Sequence, residues 1–98
     1  MDNKKIAEML LKVEMDDLND ADMLADYAEK IKECGDMSLA QAMMARAKQR
    51  LSQMEECSRS VETVLSRDGG DMHSTKSDIY ESYIDAWKHK VKAKIEAM

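Results

Sequence analysis

Two long runs of helix-forming sequence meet at Gly35-Asp36, and no proline interrupts either run or any other part of the 98-residue chain. Glycine accepts the left-handed backbone that ends a helix, and aspartate or Ser38 can cap the next one, so the dipeptide reads as a stop followed at once by a start. A link this short leaves the two helices side by side and antiparallel. A second break, Arg67-Asp68-Gly69-Gly70-Asp71, precedes Ser74 and Thr75, either of which can open a third helix. The expectation is an all-α chain of one domain, 1–98: an antiparallel long helical hairpin (helices 3–33 and 38–66) plus a shorter third helix (75–97), completing a bundle by dimerisation.

Apolar residues recur at helical spacing in all three segments. The expected stripe of the first is Ile6, Met9, Leu10, Val13, Leu18, Ala21, Leu24, Ala28 and Ile31, with Asp2 or Asn3 as cap. That of the second is Leu39, Ala40, Met43, Ala47, Leu51, Met54, Ser58, Val61 and Leu65, with Ala40, Ala42, Ala45 and Ala47 allowing close approach near the turn. The third presents Ile79, Tyr80, Tyr83, Ile84, Trp87, Val91 and Ile95.

A chain of this length buries only about 60–65% of the surface it exposes when unfolded. With no Phe, one Trp, three Tyr and ten Met, its core is thin and soft. A homodimer or higher homo-oligomer is therefore expected, with Tyr80, Tyr83, Ile84, Trp87 and Val91 as candidate contacts between subunits. Residues 1–20 lack the features of a signal peptide, and no uncharged apolar run is long enough to span a bilayer. Two cysteines fit reduced thiols in a cytoplasmic protein. Cys57 lies about 30 Å along the second helix from the turn beside Cys34, too far for a bridge within one hairpin.

Charge is uneven: eleven acids and five bases in residues 1–36, three and five in 37–67, and six and five in 68–98, adding to a net −5. An acidic first helix against a basic second one favours the hairpin over pairing of two identical first helices.

The segment Asp22 to Met54 resembles the ferritin-like superfamily in its rubrerythrin-type and encapsulin-associated short forms, through Tyr27, the turn Glu33-Cys34-Gly35-Asp36, and Leu39-Ala40. The resemblance covers about a third of the chain and implies a helical hairpin. It also implies a di-iron centre held by a glutamate on the first helix and a Glu-x-x-His pair on the second. Where that pair would stand, the chain has Gln49 or Arg50 and Ser52 or Gln53, none a usual iron ligand. The shape is expected without that chemistry.

Other sites are weak by the same test. Glu14, Asp17, Asp20 and Asp22 are the candidate ligands for a divergent metal site at a dimer interface, and they read first as ion-paired or solvated carboxylates. Their run lacks the alternation, glycine and closing glutamate of a calcium loop. His73 and His89 have no ligand spacing, and no nucleophile elbow, phosphate loop or HExxH occurs. Lys88, Lys90, Lys92 and Lys94 alternate around a helix in an acidic protein, a poor footprint for nucleic acid. The expected function is a non-catalytic interaction or scaffolding module without cofactors. The alternatives are a ferritin-like metal-binding or iron-oxidising protein and, third, contact with nucleic acid or an acidic partner through the C-terminal lysines.

Overall fold

The computed structural model describes residues 2–67 and 78–97, and its regular structure there is entirely helical: α1 (Asn3–Glu33), α2 (Met37–Ser66) and α3 (Asp78–Glu96). The expected opening of the third helix at Ser74 or Thr75 lies outside the described residues. None of the described helices is long and apolar enough to cross a membrane.

Local chemistry sets the ends. Asp2 caps α1, its Oδ1 accepting the Lys5 N–H at 2.8 Å, and Asp36 caps α2 by accepting the Leu39 N–H at 3.0 Å. Between them Gly35 has φ +93°, its N–H donates to the Lys32 carbonyl at 2.9 Å, and the Asp36 N–H reaches back to the Ile31 carbonyl at 3.3 Å. This is a Schellman closure, which uses carbonyls the helix end would otherwise leave open. Because the same aspartate closes one helix and caps the next, α2 starts at Met37, one residue ahead of the expected Ser38.

The seam between α1 and α2 has a 4-3 spacing, unbroken on α1 and kept on α2 as far as Met54. On α1 the buried residues are Ala7, Leu11, Glu14, Leu18, Ala21, Ala25 and Ala28. On α2 they include Ala40, Met44, Ala47, Leu51, Met54, Cys57, Val61 and Val64, spaced 4-3-4-3 as far as Met54 and 3-4-3 beyond it. A repeat of 3.5 residues keeps one face of a helix on its neighbour over many turns, as in a left-handed supercoil. Alanine dominates near the turn, where the backbones can approach most closely, and leucine, methionine and valine fill the seam further out.

This corrects the expected stripes. On α1, Met9 and Val13 are about half exposed, while Ala7, Leu11 and Ala25, which were not in the expected stripe, are buried. Leu39 and Tyr83 are likewise exposed, at 49% and 58%. The reason is that α1 carries apolar residues on more than one face. Counting large side chains selects the bulkier row, whereas contact between two helices selects the row of small ones.

α3 attaches along the residues that follow the seam. Asp22 and Asp26 come one position after Ala21 and Ala25, and both accept from the Lys94 ammonium, Asp26 at 2.9 Å. The Trp87 indole N–H donates to Asp22 at 2.8 Å. On α2 the corresponding position after Met54 is Glu55, 3.9 Å from Lys88. Ile84, Val91 and Ile95 of α3 are buried in the same core as the seam.

Candidate functional site

The residues that precede the seam form a second row on each helix. On α1 it reads Ile6, Leu10, Val13, Asp17, Asp20, Leu24, Tyr27 and Ile31, again with 4-3 spacing. On α2 it contains Leu39, Met43, Arg46, Arg50, Gln53, Cys57, Ser60 and Val64. One step before the seam is about 100° around the helix in the direction opposite to one step after it, so these rows lie away from α3. In both rows, several apolar side chains stay partly or half exposed: Ile6, Leu10, Leu24, Ile31 and Met43 are partly buried, and Val13, Tyr27 and Leu39 are exposed at 48%, 47% and 49%.

Charge interrupts this face midway. Asp17 is partly buried, and its carboxyl is pushed up by burial; Arg50 opposes this shift, while the charges of Asp20 and Asp16 add to it. Arg50 also donates to Gln53 at 3.2 Å. Pairing residues about the turn so that their numbers sum to roughly 71 sets Ala21 opposite Arg50, Asp17 opposite Met54 and Glu14 opposite Cys57. Asp17 lies within electrostatic reach of Arg50, in keeping with the reading of these acids as ion-paired carboxylates, and Cys57 senses Glu14. The Cys57 thiol donates to the Leu10 carbonyl at 3.0 Å. Burial pushes this thiol up, the Glu14 and Asp17 carboxylates push it further, and the backbone of Glu14 opposes them. A thiol held protonated in this way is a poor nucleophile.

The four candidate metal ligands point in three directions. Glu14 is enclosed in the seam at 2% exposure, Asp17 and Asp20 sit on the open face, and Asp22 is on the α3 side. Among the described residues, no three His, Cys, Asp or Glu side chains come together as a metal site. Of the positions where the ferritin-like resemblance implies iron ligands, Gln49, Ser52 and Gln53 are exposed and Arg50 is partly buried.

The candidate contact residues of α3 divide in the same way. Ile84 and Val91 are buried within the chain, at 4% and 0%. Trp87 is partly buried and packs at 5.9 Å and 55° against the exposed ring of Tyr83. The side chain of Tyr80 lies outside the described residues, as does His73. His89, Lys90 and Lys92 are exposed, whereas Lys94 is engaged by Asp22 and Asp26.

The Asp22–Asp26–Trp87–Lys94 cluster was not anticipated from the sequence. Its trace was an i, i+4 pair of acids on one helix, and a tryptophan with a lysine seven residues on in another, which identifies a pairing only once the helices are known to be neighbours. Burial raises the Asp22 carboxyl, but the hydrogen bonds from Lys94 and Trp87 and the charges of Lys94 and Lys90 outweigh it and hold the group below its ordinary range. Those hydrogen bonds with Asp22 and Asp26 raise Lys94 in turn, against a smaller opposing effect of burial.

Comparison with family models, with characterised proteins and with solved structures gives no match to this chain.

Proposed function

We propose that the protein is a non-catalytic helical interaction module, in which the α1–α2 hairpin carries α3 on one side and receives a second copy on the other. The observation that supports this reading is the row of Ile6, Leu10, Val13, Leu24, Tyr27 and Ile31, which repeats with the spacing of a helix-packing seam but has no described helix over it. A 4-3 apolar repeat suits a facing helix, and a face of this kind on two copies closes into a four-helix bundle. Under this reading, Tyr83 and Trp87 flank the bundle rather than form its centre.

The chemistry present favours association over catalysis. Cys57 is kept as a thiol, and the carboxylates serve the seam, the α3 staple and the charged middle of the open face. A ferritin-like resemblance then concerns shape: a helix, a Gly-Asp turn and an alanine-rich helix. A metal site across the dimer would draw on Asp17 and Asp20 alone among the four candidates, because Glu14 is enclosed and Asp22 is committed to Trp87 and Lys94. Iron or zinc at one ion per chain in purified protein would contradict the reading.

The direct test is light scattering on the native chain and on Val13→Glu. Val13 is 48% exposed within one chain, so its replacement changes the stability of that chain by no more than about 0.5 kcal/mol. The native chain is expected to be a dimer and the variant an equally helical monomer. A variant as dimeric as the native chain would remove the open face from the account.

A further inference from the structure

Along the open face, the two rows stack into three layers. At the turn end lie Leu24, Tyr27 and Ile31 of α1 with Leu39 and Met43 of α2. In the middle are Asp17 and Asp20 on α1 and Arg46 and Arg50 on α2; the hydrogen bond from Cys57 to Leu10 sets the register, and two turns along each helix from it Arg50 comes level with Asp17. At the far end are Ile6, Leu10 and Val13 of α1 with the exposed Gln53 and Ser60 of α2, while Cys57 and Val64 of the same row are buried within the chain. The α1 row is thus apolar, charged, then apolar, the α2 row apolar, charged, then polar, with acids confined to one helix and bases to the other.

Two identical faces of this shape can meet about a two-fold axis in two ways. If the axis crosses the helices, the turn of one copy covers the open end of the other, α1 lies on α1 and α2 lies on α2. The middle of α1 is residue 18 and that of α2 falls at 51–52, so the charged layer then lands on its own copy. Asp17 and Asp20 would meet the same acids, and Arg46 and Arg50 the same bases. If the axis runs along the helices, both turns lie at one end and α1 of each chain covers α2 of the other. Asp17 and Asp20 then meet arginines in both halves of the interface. The charges separate the two arrangements: like charges face to face suppress an arrangement, and opposite ones set register.

Resting on the association proposed above, we infer that the partner is a second copy in the same orientation, both turns at one end, with Asp17 and Asp20 facing Arg46 and Arg50 of the partner subunit. The charged layer is the element that specifies this orientation, at a place where an unbroken apolar row would accept both.

The chain carries its own reporter. Cys34 is exposed beside the turn, and Cys57 is buried. A nitroxide on Cys34 of the native chain, with a Cys57→Ala chain as control for stray labelling, gives the separation of the two turns by dipolar electron spin resonance. Neighbouring helix axes lie about 8–10 Å apart, so turns at one end put the labels within about 30 Å. The crossed arrangement separates them by nearly the 52 Å length of the molecule. A dimer with the long distance overturns the orientation and leaves the association standing. A monomer overturns both. As a second reading, the double substitution Asp17→Lys and Asp20→Lys places bases on the partner's arginines and weakens the same-end dimer by about tenfold or more. In the crossed dimer it exchanges one like-charge contact for another, so an unchanged dissociation constant would also overturn the orientation.

Discussion

Asp22 ties α3 to α1 twice, through Trp87 and through Lys94. Its folded-state pKa lies below the ordinary 3.8, so its stabilising effect is complete above that value and is lost as pH falls through it toward the folded value. Lys94 has a folded-state pKa above the ordinary 10.5, so its effect is complete below 10.5 and is lost as pH rises through the raised value. Docking of α3 is therefore expected to loosen below about pH 4 and again above about pH 10.5. Trp87 is the only tryptophan, and its emission should shift to the red in both windows. Asp22→Asn should cost about 1–3 kcal/mol in urea unfolding and abolish the acid-side change. An emission spectrum of Asp22→Asn that shifts between pH 7 and pH 3 as far as that of the native chain would contradict this role. At Gly35 a Cβ would meet nothing within 4 Å, so Gly35→Ala should cost only the backbone's left-handed penalty, about 1–2 kcal/mol. A much larger loss in thermal or urea unfolding would mean that the turn is packed more tightly than this.

The helices were the most legible feature of the sequence, and the faces they use were the least. Gly35-Asp36 announces a stop and a cap through backbone chemistry that is local, so it can be read without knowing any neighbour. Which face of α1 meets α2 is not local. Ile6, Leu10, Val13, Leu24, Tyr27 and Ile31 form as regular a repeat as Ala7, Leu11, Leu18, Ala21, Ala25 and Ala28, and the larger side chains of the first row outweigh the second in any count of hydrophobicity. The smaller row is buried in this chain because alanines let two helix axes come close, whereas the bulkier row is left partly buried or half exposed. Two residues test that assignment. Ala47 is fully buried in the alanine-rich part of the seam, so Ala47→Leu should destabilise by about 1–3 kcal/mol through overpacking. Ala42, exposed on the same helix, should accept leucine within about 0.5 kcal/mol. Equal effects of the two in urea unfolding would refute the seam. The acids from Glu14 to Asp22 show the same thing: nearness in sequence spreads their side chains around the helix instead of gathering them.

For the molecule as a whole, the sidedness of the α1–α2 pair is the organising fact. Residues after the seam bind α3 through Asp22, Asp26 and Glu55, and residues before it present apolar rows broken by Asp17, Asp20, Arg46 and Arg50. The first side explains how a 98-residue chain with few aromatic residues covers one face of its longest helices. The second explains why the same helices keep Val13, Tyr27 and Leu39 about half exposed. The association proposed for that face would account for both the apolar repeat and the charges set within it. The measurement that tests this most directly is the mass of the native chain in solution by light scattering, across a dilution series at neutral pH. The account predicts a particle of twice 11.2 kDa that dissociates on dilution and that Val13→Glu abolishes. A particle of 11.2 kDa at every concentration would contradict it.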